Sequence, residues 1–578
     1  MLHLLSVSES RDHKLNLAPG YKGSKIYTRT GQQVFWLGEV RSNTVCQDYK
    51  TIKYDCLKQK KLFEDPEFPP VDDALSEKSP DEPVIWLRPH EICANPKLFV
   101  EGLSRFDIRQ GDLGNCWLLA ALANLTMYNY LMKQVIPSEQ SFDENYAGIF
   151  HFWFWQYGRW VDVVIDDRLP TRNGKLINLR STAENEFWSA LFEKAYAKLH
   201  GSYGSLKGGS ISEGMEDITG GVSETYSMKK LPKSFYNILL KAYKRNTLIG
   251  CSIQVNNSDS YRKKAEGLIC WHAYSVTCVR FIETKKSVKI PMLRLRNPWG
   301  NEKEWNGPWS DKSKQWQSLS DEERQKVGLV VDSDGEFWMS YQDFKHRFTH
   351  VELCNLNPDS LHLEDFEEEI KKWEVTVFEG QWTKGVTAGG YHDMPHFHVN
   401  PQYIIKVVDT DEEDDDDLCT IIVALMQKNR RWKNLQYLEV GFEIYRLPEK
   451  GVPKPLNMKF FKANKPIGHS SKSRMREISK RFKLKPGSYV IIPYTSKPHE
   501  EGEFLLRVYT ESVHDMIKHD NEFGKVEVDE RVKDMPVAEL DPTLSMFNQM
   551  AGNDNKLDWE ELKALLDGPS RAGGKKRG

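Results

Sequence analysis

Gln110-Gly-Asp-Leu-Gly-Asn-Cys116-Trp-Leu-Leu-Ala-Ala121 carries a glycine-rich loop straight into an apolar, helix-forming run. That order predicts a helix beginning at Cys116. At a helix N-terminus the unpaired N–H groups and the macrodipole favour thiolate over thiol. The same N–H groups can hold an oxyanion, with the Gln110 side chain looping back as a second donor. The competing reading is a structural cysteine opening a core helix, since a free cysteine is usually buried and inert.

Working outward, Trp271-His272-Ala-Tyr-Ser-Val brings a histidine into a strand-like run, and Arg296-Asn297-Pro-Trp-Gly follows it. A thiol that attacks an amide needs a base to take its proton. That base needs a third group to fix its ring and tautomer. Cysteine, distant histidine, then asparagine is the papain-type order. A lone histidine in a strand is more often a satisfied core residue. The three together, with a glutamine ahead of the cysteine, make coincidence a poor account.

The chain has 578 residues, which at about 150 per domain suggests roughly four domains. Lys+Arg is 80 against Asp+Glu 83, a balance that argues against a polycationic nucleic-acid binder. Apolar residues make up 39%, including 17 Trp, enough for several packed cores and too many for a wholly disordered chain. Apolar runs such as Trp117–Ala123 are far too short to span a bilayer. The N-terminus has no basic leader and a very short apolar stretch, so no signal peptide is expected. Nine cysteines without CxxC pairs fit reduced thiols in a cytoplasmic protein better than a disulfide scaffold.

Phe187, Leu191, Phe192, Ala195 and Leu199 recur at helical spacing, so a helix is expected over 186–200. SYGSLKGGS (202–210) after it reads as a hinge between two lobes. Beyond 360 the segments EVTVFEG, QYIIKVV, CTIIVALM, GSYVIIPY and EFLLRVYTE are β-branched and turn-separated, as in an all-β sandwich. Within it, 409–417 (DTDEEDDDD) holds eight acids in nine residues and reads as a solvated loop, open to a calcium ion or a lysine-rich partner. His392, His396 and His398 are close, the last two expected on one strand face, which is too weak a pattern to read as zinc.

QGDLGNCWLLAALANL (110–125), NEFWSALFEKAYAKLHGSY (185–203), GGVSETY (220–226), HAYSVT (272–277), RLRNPWG (294–300) and DGEFWMS (334–340) resemble the protease core of the calpain family. TAGG (387–390), VNPQY (399–403) and the acidic run resemble the calpain sandwich. The resemblance implies an α+β, papain-like two-lobe cysteine protease core, a C2-like all-β sandwich and a short helical tail. Its expected divisions are 1–80, an N-terminal region; 81–208, the Cys lobe; 209–355, the His/Asn lobe; 356–512, the sandwich; and 513–578, a linker with a truncated EF-hand tail.

The resemblance further implies a calcium-activated intracellular endopeptidase. Cys116 would be the nucleophile, His272 the base and acid, Asn297 the orienter and Gln110 an oxyanion donor. Trp299 would be the indole wedge between the lobes. Calcium wants about six to eight oxygens. By the family pattern Val100, Gly102, Asp107 and Glu186 form one site, with Val and Gly giving carbonyls. Asp332, Asp334, Glu336, Glu304 and Asp311 form the second, and Arg105 pairs with Glu336 to couple them. Read without the family, the 332–336 loop would be a solvated Asp-Gly turn.

In the tail, Ala551, Asp554, Lys556 and Glu561 resemble the shortened first EF-hand of calpains. A lone hand leaves an apolar helix face uncovered, so weak or absent calcium binding is expected there. Dimerisation with the family's small subunit is not expected, because that interface uses hands this chain lacks. Expected partners are extended or disordered protein segments as substrates and a phospholipid surface for the sandwich. The expected location is the cytoplasm, with peripheral membrane contact on a calcium rise. One departure stands beside the site: the family usually has Gly before the catalytic His, and this chain has Trp271. An indole there would block peptide entry, displace His272 or point away. A catalytically impaired, calcium- and phospholipid-responsive adaptor is the alternative function.

Overall fold

Trp117 to Leu125 are all buried, so the helix Cys116–Leu125 is a core helix rather than an amphipathic surface one. In the computed structural model it packs on the helix Ile211–Thr219 and shares one hydrophobic core with the hairpin Ile149–Gln156/Arg159–Asp166 and the helix Trp188–His200. The structure describes residues 47–75, 83–100, 102, 104, 107–254, 266–300, 304–329, 334–356, 374–407, 418–430, 435–448, 455–510 and 516–518, with the backbone of 26–27 and 33–34. The described residues belong to one packed unit. Arg105, Asp332, the acidic run 409–417 and the EF-hand candidates Ala551, Asp554, Lys556 and Glu561 lie outside the described residues.

The helix expected from Glu186 starts at Trp188. Glu186 is drawn away instead, its carboxylate accepting from the Val100 N–H at 2.6 Å and the Ser181 hydroxyl at 2.6 Å. The helix buries two lysines, which its apolar spacing did not reveal. Lys194 reaches Asp166 at 2.6 Å and Lys198 reaches Asp65 at 2.7 Å. Gly201, at φ 98°, closes the helix in the left-handed conformation that glycine adopts without penalty. The 202–210 segment then passes over the Cys116 helix. The Trp117 indole donates to the Leu206 carbonyl at 3.0 Å, and a Cβ on Gly209 would meet the indole at 2.5 Å.

A six-stranded antiparallel sheet follows, in the order Glu336–Ser340, Lys289–Arg296, His272–Glu283, Leu248–Ile253, His350–Asn355, Val222–Ser227. Cys251, Ile253, Tyr274, Val276, Leu293, Leu295 and Phe337 form its core. The Cys116 helix lies against this sheet: Ser275 Oγ donates to the Ala120 carbonyl at 3.0 Å, and Asn124 Nδ2 to the Ile249 carbonyl at 3.1 Å. Ser275 thus ties the helix that starts with the cysteine to the strand that starts with the histidine, and Asn124 ties it to the neighbouring strand Leu248–Ile253.

The strands expected after 360 form two sheets around one core. Glu477–Leu484, Cys419–Gln427, Gly502–Thr510 and Glu374–Trp382 make one, joined by 26–27 and 33–34. Gly468–His469, Val440–Arg446, Gly487–Thr495, Tyr403–Val407 and Met516–Lys518 make the other. Alternation places Ile421, Val423 and Leu425 inward. Ile422 and Ala424, on the opposite face, pack on Val222. Buried arginines complete that junction: Arg476 pairs with Glu213, Glu216 and Asp217, and Arg507 donates to the Gly220 and Gly221 carbonyls. His396 and His398 are not on a strand; they flank and enter a short 3₁₀ turn, Phe397–Val399, and His392 pairs with Glu443 at 2.7 Å.

Candidate active site

Cys116 is the first residue of its helix, with Asn115 as N-cap. His272 opens its strand, and Asn297 directly follows the strand Lys289–Arg296. Pairing of Ser275 with Arg296 brings the two strand ends level. His272 Nε2 lies 2.7 Å from Asn297 Oδ1. The Trp299 N–H also donates to that oxygen, at 3.0 Å, which fixes the amide so that oxygen faces the ring. Nε2 then carries the proton and Nδ1 keeps its lone pair as the base. Burial holds the imidazole low, at about 4, against the opposing hydrogen bond it donates to Asn297.

The expected thiolate at Cys116 is corrected by the fold. Burial pushes this thiol up, and outweighs the backbone N–H groups of Ala273, Trp117 and Cys116 that favour the anion. The cysteine and histidine therefore rest as neutral thiol and neutral imidazole. Trp299 bridges the two halves of the site. Its ring centroid is 5.0 Å from that of His272, and its indole N–H donates to Gln110 Oε1 at 3.0 Å. The Gln110 amide nitrogen donates to the Leu113 carbonyl at 2.8 Å, so in this arrangement its donor is turned into its own loop. Trp271 is 62% exposed, and the His272–Asn297 bond is intact beside it.

In the first acidic constellation Glu186 and Asp107 are both buried. Burial, with the neighbouring Asp107 charge, pushes the Glu186 carboxyl up to about 7. Asp107 is also raised by burial, against the Ser104 N–H and the charge of Arg296. Val100 meets Glu186 through its N–H, while Gly102 is exposed at φ 97°. In the second, Glu304 accepts from the Gly335 N–H at 2.8 Å and Asp334 from the Glu336 N–H at 2.7 Å. Glu336 meets Thr277 at 2.8 Å and Arg294 at 3.3 Å. Asp311 is half-buried nearby in sequence. Among the described residues no group of three or more acidic, His or Cys side chains is gathered closely enough to hold a metal.

Two buried residues that touch the candidate site carry little local sequence signal. Arg296 is buried; its Nη1 donates to the Asp334 carbonyl at 2.9 Å, and its charge reaches Asp107. Glu193 is buried and accepts from Asn115 Nδ2 at 2.6 Å and the Leu179 N–H at 3.0 Å, holding the residue before Cys116. Only the strand-end position of Arg296 and the helical phase of Glu193 hinted at either.

Comparison with known proteins matches residues 63–355 to the calpain family cysteine protease model and 378–509 to domain III of the calpain large subunit. The chain is 51% identical to Calpain-A of Drosophila melanogaster over 90% of its own length and 65% of that protein's. It is 49% identical to Calpain-B of the same fly, covering 93% and 60%. It is 43% identical to the human Calpain-1 catalytic subunit, covering 90% and 74%. It thus spans under two thirds of the length of the two fly relatives. With both family models matched in order and the cysteine, histidine and asparagine lying inside the first, the chain belongs to the calpain family.

Proposed function

We propose that the chain is a calcium-activated cysteine endopeptidase in which Cys116, His272 and Asn297 form the catalytic set. The observation that carries this is the 2.7 Å His272–Asn297 bond at the strand ends, on the sheet that the Cys116 helix packs against. Neutral imidazole is the form that takes a proton. His272 Nδ1 would accept the Cys116 proton as sulfur bonds to the substrate carbonyl carbon. The oxyanion would be held by the Cys116 N–H and the Gln110 amide. His272 would then pass its proton to the leaving amine, and water would hydrolyse the thioester.

Both the wedge and the resting protonation describe a site not yet engaged. The Gln110 amide nitrogen must leave the Leu113 carbonyl, and its oxygen the Trp299 indole, before that amide can face an oxyanion. The donor set around Asp107 and Glu186 fits a hard divalent cation, because both carboxyls are buried there and raised by burial, Glu186 also by the Asp107 charge. Val100, Gly102, Asp107 and Glu186 would hold one calcium ion; Glu304, Asp311, Asp332, Asp334 and Glu336 would hold the second. Bound calcium supplies the positive charge that lets such carboxylates ionise together. Asn297 is tied to the second loop through its N–H, which donates to the Gly335 carbonyl at 2.8 Å, so the loop's position bears on the histidine's orienter.

Extended protein segments are the proposed substrates, in the cytoplasm, with the sandwich meeting a phospholipid surface when calcium rises. The test is casein cleavage with and without calcium, beside a Cys116→Ser control. Cleavage only by the native chain and only with calcium is expected. Calcium-independent cleavage, or cleavage by the control, would overturn the reading.

A further inference from the structure

Trp271 directly precedes His272, and at 62% exposure it is the one tryptophan among the exposed large apolar side chains of the described residues. Its backbone sits at φ 55°, a left-handed conformation that any residue with a Cβ adopts at a cost. The conformation is pinned from both sides. The Trp271 N–H donates to the Ile253 carbonyl at 2.7 Å, and His272 pairs with Ile253 at the start of the strand. The backbone that carries the indole is thereby fixed, one residue from the imidazole that must reach the scissile amide. Consecutive Cα atoms are about 3.8 Å apart, so a bound peptide at His272 passes within reach of this ring.

A strained backbone and an apolar ring left in water are two costs at one position. Such costs collect where the arrangement serves binding or catalysis. We propose that Trp271 is a specificity-determining residue of the cleft: its indole receives a large apolar side chain flanking the scissile bond of the substrate. This rests on the protease reading above. The ring offers a broad flat face with low conformational entropy to lose, which suits aliphatic and aromatic side chains. The His272–Asn297 bond is intact beside it, so the ring does not displace the base.

The test is a fluorogenic peptide series in which the residues on either side of the scissile bond are varied between Gly, Ser, Leu and Phe. The native chain, W271F and W271A are compared with calcium present. The native chain should prefer Leu or Phe at one flanking position. W271A should lose about tenfold in kcat/KM on those peptides and less than about twofold on the Gly and Ser peptides. W271F should keep most of the preference. W271G, whose backbone takes φ 55° freely, serves if W271A does not fold. An unchanged preference in W271A, or in W271G if that variant is used, would overturn the inference. So would an equal loss on every peptide, which would make Trp271 a positioning residue for His272. Native cleavage that is absent or independent of Cys116 would remove the protease reading and this inference with it. Peptides with Lys or Arg at the same two positions complete the series, and a preference for these that is lost in W271A would also overturn it, in favour of a cation over the ring.

Discussion

Arg296 donates a 2.9 Å hydrogen bond from Nη1 to the backbone carbonyl of Asp334. The arginine immediately precedes Asn297, and its charge also reaches Asp107 in the other acidic constellation. One buried guanidinium therefore touches the second loop directly, the first through its field, and the orienting asparagine through the chain. The family resemblance implies coupling through Arg105 and Glu336. That pair involves Arg105, outside the described residues; among the described ones Arg296 reaches both constellations, and Glu336 meets Arg294.

Replacing Arg296 with Met should therefore do two things. It leaves a buried carbonyl without this donor and removes a compensating charge, so stability should fall by about 3 kcal/mol in urea denaturation. It should also raise the calcium concentration for half-maximal cleavage several-fold. A variant with native calcium dependence would separate Arg296 from the coupling.

Glu193 offers two acceptor oxygens to two donors, Asn115 Nδ2 and the Leu179 N–H. Glutamine has one, so Glu193→Gln should leave a buried donor facing a donor, at about 1–3 kcal/mol. Because Asn115 caps the Cys116 helix, the misplacement should appear in kcat, down by as much as about 10²-fold, with KM nearly unchanged. Steady-state kinetics on one peptide would check it.

Glu186 gives a pH signature in the calcium-free protein. Its carboxyl is raised from the ordinary 4.5 to about 7, by burial first and then by Asp107. Between those values the folded state holds a proton that the unfolded state has released. Stability from this group therefore falls as pH rises through that window and is level above it. Denaturation midpoints of the native chain should drop relative to Glu186→Gln from about pH 4.5 to about pH 7. Excess calcium should remove the difference.

Cys116 should be a slow nucleophile without calcium. Its thiol is raised above the ordinary value of 9.0, and the imidazole, low at about 4, carries no charge near neutrality to stabilise a thiolate. Alkylation by iodoacetamide at pH 7.5 should be slower than for free cysteine, and should accelerate on adding calcium. Mass spectrometry of the Cys116 peptide would show it. Rapid calcium-free alkylation would contradict the buried, neutral arrangement.

Much of the architecture was legible because its signals are local. The glycine-rich loop before Cys116 did become a helix start, and the β-branched segments after 360 did pair into two sheets. The His272–Asn297 pair could be anticipated from order alone. The helix expected at Glu186 began two residues late, because a carboxylate partnered by Val100 and Ser181 competes with helix formation. His396 and His398 were misplaced for a related reason: a short stretch before Asn400 bends into a turn that alternation does not reveal.

The sequence by itself determined the residue types, their order and the local elements that present them, since periodicity, caps and turn residues act over a few positions. Tertiary structure alone decided the protonation of Cys116, the bridge that Trp299 makes from His272 to Gln110, and the roles of Arg296 and Glu193. Those depend on desolvation and on partners far apart in the chain, and burial is a sum over neighbours that no short stretch of residues contains.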